Sequence, residues 1–143
     1  MKILIVDGQG GKMGKTIVEQ LKLNFPQLEL IAIGTNSIAT ATMLKAGADS
    51  GATGENPVLY NSPNADIIIG PIGIIIANSL LGEVTPQMAA TISGCKAKKL
   101  LIPINKCNSH VVGTQNLSLT EYVSLVVEQV RLLTSSIAAN QCQ

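Results

Sequence analysis

A chain of 143 residues has the length of one domain, enough to close a core and too little for a separate catalytic domain. A formal charge of +1 and a total of three aromatic residues argue against nucleic acid or an anionic membrane as partner, since there is neither a basic field nor a set of rings for stacking bases. Hydrophobic residues make up 46% against 13% charged, a thin polar cover that predicts a homo-oligomer.

The chain enters a strand pattern at once. "KILIVD" (2–7) is a short apolar run of the kind buried on both faces of a parallel sheet. Met13, Ile17 and Leu21 then recur at helical spacing until Pro26. "LELIAIG" (28–34) is the second strand, and a helix through Ile38, Ala41 and Leu44 is expected to end at Gly47. Residues 48–64 are irregular. Asn56-Pro57 can open a helical turn, or "VLY" can form a short strand, and the sequence does not choose.

"ADIIIG" is a buried strand and "IIIANSLLG" a short buried helix; Asp66, Asn78 and Gly70-Pro71-Ile72-Gly73 speak against one membrane-spanning helix through 65–82. Thr85-Pro86 caps a helix ending at Gly94. "KKLLIPI" (98–104) is a strand whose proline marks its end or an edge, with Lys96, Lys98 and Lys99 as an exposed basic border, and "HVVGT" is a candidate further strand. Ser118-x-x-Glu121 is a capping box that opens a last helix to about residue 137. That helix is apolar over more of its circumference than one sheet contact needs, which makes it the expected subunit interface. The order of elements predicts an α/β fold, a three-layer α/β/α Rossmann-like domain with a mostly parallel sheet.

"GQGGKMGKT" (8–16) overlays two nucleotide motifs. A P-loop needs four residues between its first glycine and Gly-Lys-Thr, and counting back from Gly14 lands on Gln9, so the register fails. The glycine ladder fits a dinucleotide corner better. It offers a tight turn, close approach for a pyrophosphate, unpaired amides at a helix start, and a glycine against the sheet. The predicted cofactor-binding residues are therefore Gly8, Gln9, Gly10, Gly11, Lys12, Met13 and Gly14, joined by Thr35 and Asn36 after the second strand and Gly70 and Pro71 after the strand "DIIIG". All of this depends on the corner's amides being unpaired.

No acid closes the second strand, which ends "GTNS"; Glu29 lies at its start. Nothing there repels a 2′-phosphate, so the reading tilts toward NADP over NAD, with a mononucleotide or other small phosphorylated ligand as alternative. Beyond "KKLLIP", the cluster Asn105, Lys106, Cys107, Asn108 and His110 holds the candidate catalytic groups, Lys106 and His110, against the plain reading of a polar loop. Asp49, Thr53, Glu55 and Asn56 suit a ligand-closing loop or simple solvation. One histidine and scattered cysteines make no metal set. Cys95, Cys107 and Cys142 lack CxxC spacing, and no signal-peptide pattern precedes "MKILIV", so reduced thiols and a cytoplasmic location are expected.

"GQGGKMG" resembles the G-x-G-G-[RK]-M-G loop of dihydrodipicolinate reductases, which bind NADH or NADPH on a Rossmann domain. By that resemblance Gly8, Gly11, Lys12, Met13 and Gly14 line the pyrophosphate. The likeness ends with the helix that follows, and the paired-histidine catalytic motif is missing. Through "GATGEN", "ADIIIGPIGIIIANSLLGE" and "KKLLIPINKC" the chain also looks like a family of small bacterial proteins of unknown function, whose Rossmann-like fold is inferred and which implies no activity. The functions in view are an oxidoreductase-like enzyme whose substrate site forms between subunits, a non-catalytic nucleotide- or redox-sensing module, and a structural oligomer.

Overall fold

The computed structural model of the chain describes residues 1–104 and 108–142. Its centre is β1 (Ile3–Asp7), buried along its whole length and paired in parallel with β2 (Leu30–Gly34) on one side and β4 (Ile67–Pro71) on the other. β3 (Ser50–Thr53) and β5 (Lys98–Ile102) form the edges, giving the order β3-β2-β1-β4-β5 with every pairing parallel.

Alternation along the strands builds two cores. Ile3, Ile5, Ile67 and Ile69 point to one face, under α1 (Lys12–Asn24), α2 (Ser37–Lys45) and α5 (Leu119–Gln141). Leu4, Val6, Ile33 and Ile68 point to the other, under α3 (Glu55–Asn61) and α4 (Pro86–Gly94). Both faces of β1 are thus dry, and each of its branched side chains contributes about 1.5–3 kcal/mol of burial. That is why the strand reads as a continuous apolar run.

Local signals set the helix ends. Thr85 accepts a hydrogen bond from the Met88 amide at 3.1 Å, with Pro86 at the first helical position. Ser118 accepts from the Glu121 amide at 3.2 Å while its own amide donates to Glu121 Oε2 at 2.7 Å, closing the capping box. α1 differs: its N-cap is Gly11, in the left-handed conformation, with no side-chain cap.

Three expectations change and one open choice is settled. α2 buries Ala39, Thr40 and Met43, while Ile38 is 67% exposed, so the helix is present with its face rotated. Thr40 can face inward because its hydroxyl bonds to Thr53 Oγ1 at 2.8 Å. Residues 48–64 form both a strand and a helix: β3 takes "SGAT", and "VLY" lies inside α3. "IIIANSLLG" is no α-helix. After a 3₁₀ turn, Ile72–Ile75, its backbone turns left-handed at Asn78, Leu80, Leu81 and Gly82, and the Ser79 hydroxyl donates to the Gly73 carbonyl. "HVVGT" forms no strand; Val112 stands in solvent with no neighbouring strand to pair with.

Candidate functional site

Because all strands run the same way, their carboxyl ends share one rim. Asp7 is level with Gly34 and Gly34 with Thr53, while Pro71 is level with Ile102. The chain order reverses between β1 and β4, and ligands of open α/β sheets bind at such a reversal.

The β1–α1 corner at this point is built by Asp7. Its buried carboxylate accepts from the amides of Gly8 at 2.8 Å and Gly14 at 2.7 Å, clamping both ends of the glycine loop. The Gly11 amide closes the turn onto the Gly8 carbonyl at 2.9 Å. Each glycine has its own reason to lack a side chain. Gly11 has φ +74°, and a Cβ there would stand 2.8 Å from the Ala39 Cα. At Gly14 it would strike Met43 and at Gly8 the Thr35 hydroxyl, whereas at Gly10 it would meet nothing. Gly10 is therefore the face of the loop left open for approach.

Amide pairing divides the corner. Gly8, Gln9, Gly11 and Gly14 donate to the protein's own oxygens, while the amides of Gly10, Lys12 and Met13 have no partner among the described residues. Those three lie at or beside the uncapped start of α1, where the helix dipole favours negative charge. They face a cleft of about 100 Å³ that is closed by Pro71 and Leu80.

The partner of Gln9 went unread in the sequence. Glu83 Oε1 accepts from the Gln9 amide at 3.0 Å, the Thr35 hydroxyl at 2.7 Å and the Asn36 side-chain amide at 2.6 Å. An acid thus does stand at the end of β2, delivered by the loop after β4 instead of by β2 itself. A signal existed: Glu83 is the only charged residue between Asp66 and Lys96.

The two carboxyls of the corner are shifted in opposite directions. Burial pushes Asp7 up against the lowering effect of its two amide partners, and the nearby Glu83 charge adds to the rise. For Glu83, burial also acts upward, but the hydrogen bonds from Thr35, Asn36 and Gln9 together outweigh it and hold the group below the usual range.

The other predicted residues scatter. Thr35 and Asn36 reach the corner, though both are engaged by Glu83. Pro71 lines the cleft, whereas Gly70 is packed against the Val6 carbonyl and is needed by the sheet. His110 is exposed and lines a different cavity of about 370 Å³ beyond β5 with Pro103 and Tyr122. Lys106 and Cys107 lie outside the described residues. Asp49 belongs to the opposite end of the sheet, where it pairs with Lys22 at 2.6 Å and accepts from the Leu30 amide at 2.8 Å. Glu55 accepts from the Thr85 hydroxyl at 2.5 Å, joining α3 to α4. The Gly-Lys-Thr triplet lies within the first turns of α1, with Lys15 near Glu19 at 3.9 Å, so no P-loop forms.

Among the described residues, no group of three or more His, Cys, Asp or Glu side chains is placed to hold a metal ion, and no helix is long and apolar enough to cross a membrane.

Parallel order β3-β2-β1-β4-β5, helices on both faces and a glycine-rich corner at the reversal define a Rossmann-like α/β domain. The chain belongs to the family described as Domain of unknown function (DUF3842), whose model matches residues 2–135. No curated protein and no solved structure matches it.

Proposed function

We propose that this protein binds a nucleotide or dinucleotide, NAD or NADP, with its phosphates on the β1–α1 corner. The observation that carries the reading is the set of unpaired amides of Gly10, Lys12 and Met13 at the uncapped start of α1, opening on a cleft at the sheet's reversal. The exposed Lys12 adds a positive charge beside them. The likeness of "GQGGKMG" to the loop of dihydrodipicolinate reductases points the same way.

Size limits what the cleft takes. Sites for drug-sized ligands measure about 300–1,000 Å³, and this one is about 100 Å³. A phosphoryl group fits within it, and the nucleoside lies along the rim outside the cleft.

A binding or sensing role needs the cleft alone, whereas an oxidoreductase-like role would draw on His110, which lines a separate cavity beyond β5. The same proposal places the protein in the cytoplasm, with Cys95 and Cys142 as free thiols, and as a homo-oligomer through α5, where Leu132 is 61% exposed.

Thermal unfolding with NAD, NADP, ATP, GTP and flavins tests the reading. A ligand at 100-fold over its Kd stabilises the fold by about 2.7 kcal/mol, and at least one phosphorylated compound raises the midpoint accordingly. A midpoint unmoved by the whole panel refutes the proposal.

A further inference from the structure

We infer that Glu83 reads the ribose of the bound nucleotide, so that the site selects a nucleoside diphosphate with a free 2′-hydroxyl and rejects a 2′-phosphate. This rests on the nucleotide reading of the cleft and adds its specificity.

In a dinucleotide fold the adenosine ribose lies between the first glycine turn and the end of the second strand, where a carboxylate accepts from its hydroxyls. Here β2 ends in Gly34 and offers no acid. Glu83 fills the place from across the sheet: Thr35 and Asn36, just past β2, and Gln9, in the glycine turn, all donate to it. A carboxylate that joins these two elements stands where the diol has to lie.

The division of its oxygens matters more than its position. All three bonds end on Oε1, and Oε2 has no partner among the described residues. Were Glu83 only a clamp between loops, one oxygen would already satisfy that role. The second is an acceptor held in a fixed orientation with nothing among the described residues to use it.

That orientation is costly to hold and is held firmly. Leu80, Leu81 and Gly82 take φ of 53°, 56° and 86°, a left-handed run that side chains rarely adopt. The Gly82 amide donates to Asn78 O at 3.1 Å and the Val84 amide to Ser79 O at 3.2 Å, closing the turn that delivers Glu83 to the rim. Strain of this kind persists where surrounding structure over-determines it, as at ligand clamps. A preset carboxylate gains affinity for a diol because little ordering remains to be done on binding. A 2′-phosphate, by contrast, brings up to two negative charges against it.

Calorimetric titration of wild type and Glu83→Gln with NADH and NADPH tests the assignment. Glutamine keeps an oxygen for the three existing donors, and a melting curve verifies its fold. Wild type is expected to prefer NADH by about tenfold or more, the scale of a hydrogen bond to a charged group. In Glu83→Gln the preference collapses to within about threefold, with NADPH bound more tightly than before. A second measurement needs no variant: wild type binds ADP about tenfold more tightly than 2′-deoxy-ADP. Equal wild-type affinities for NADH and NADPH, or for ADP and its deoxy analogue, overturn the assignment and leave the phosphate site standing. Equal tightening of both dinucleotides in Glu83→Gln also overturns it, since the carboxylate would then be guarding the amides and not reading the sugar. If neither protein binds any of these nucleotides, the phosphate site itself is wrong and the assignment goes with it.

Discussion

Glu83 and Gln9, 74 residues apart in sequence, meet through a hydrogen bond of 3.0 Å from the Gln9 amide to the Glu83 carboxylate. The loop after β4 is thereby tied to the loop after β1, and the rim of the sheet becomes one connected surface. Its parts separate under substitution in ways that distinguish ligand binding from folding.

Gly10 and Gly11 are adjacent in sequence and opposite in consequence. A Cβ at Gly10 meets no protein atom within 4 Å, so a side chain there grows into the open face: Gly10→Val is expected to retain the wild-type melting midpoint and to lose nucleotide binding. Gly11→Ala puts a Cβ on a left-handed residue pressed against Ala39 and costs about 1–3 kcal/mol. Denaturant melts beside a binding titration check both. A Gly10→Val protein that still binds normally contradicts the location of the site.

Asp7→Ala leaves the amides of Gly8 and Gly14 without their acceptor at a buried position, a loss of about 1–3 kcal/mol for each. The dependence on pH has a definite sign. Burial raises the folded pKa, so the stability linked to this group is fully present below its unfolded value of about 3.9 and is lost as pH rises through the folded value. Chemical melts across the acid range should show the gap between wild type and Asp7→Ala narrowing with rising pH.

Asp49 has the opposite sign. The Lys22 side chain holds its carboxyl below the ordinary value, helped by the Leu30 amide, so its contribution exists above the unfolded pKa and disappears as pH falls through the folded one. The side chain is 43% exposed, and solvent screening limits the pair to about 0.2–1 kcal/mol. Asp49→Asn is expected to cost that much, less at high salt, with nucleotide affinity unchanged because the pair lies at the other end of the sheet. A change in affinity would place Asp49 in the site after all.

The rotated face of α2 makes a third contrast. Ile38→Lys exchanges one exposed side chain for another and shifts stability by no more than about 0.5 kcal/mol. Met43→Ala empties part of the core beneath α1 and costs about 2–5 kcal/mol. Equilibrium melts of the two variants decide between the faces.

The central strands were legible because a strand buried on both sides leaves a continuous apolar run, as in "KILIVD" and "ADIIIG". Thr85-Pro86 and Ser118-x-x-Glu121 were equally readable, since capping is chemistry between near neighbours. α2 was found with the wrong face: Ile38 and Leu44 outrank Thr40 in hydropathy, and the bond that lets Thr40 turn inward comes from Thr53 on another strand. "IIIANSLLG" misled in a different way. Its apolar composition suits a buried helix, but Leu80 and Val84 are buried by a left-handed turn that leads into Glu83. In the site, the glycine ladder was visible and its division into paired and unpaired amides was not, because Asp7 and Glu83 decide that from outside the motif.

The donors that fix the Glu83 carboxylate come from residues 47 to 74 positions earlier in the chain. No short peptide containing "GQGGKMG", and no fragment ending before residue 83, can assemble them. The complete rim thus exists only with β4 beside β1 and its outgoing turn closed. Selection at the 2′ position should consequently vanish in any variant that opens that turn, while the β1–α1 amides keep their hold on phosphate.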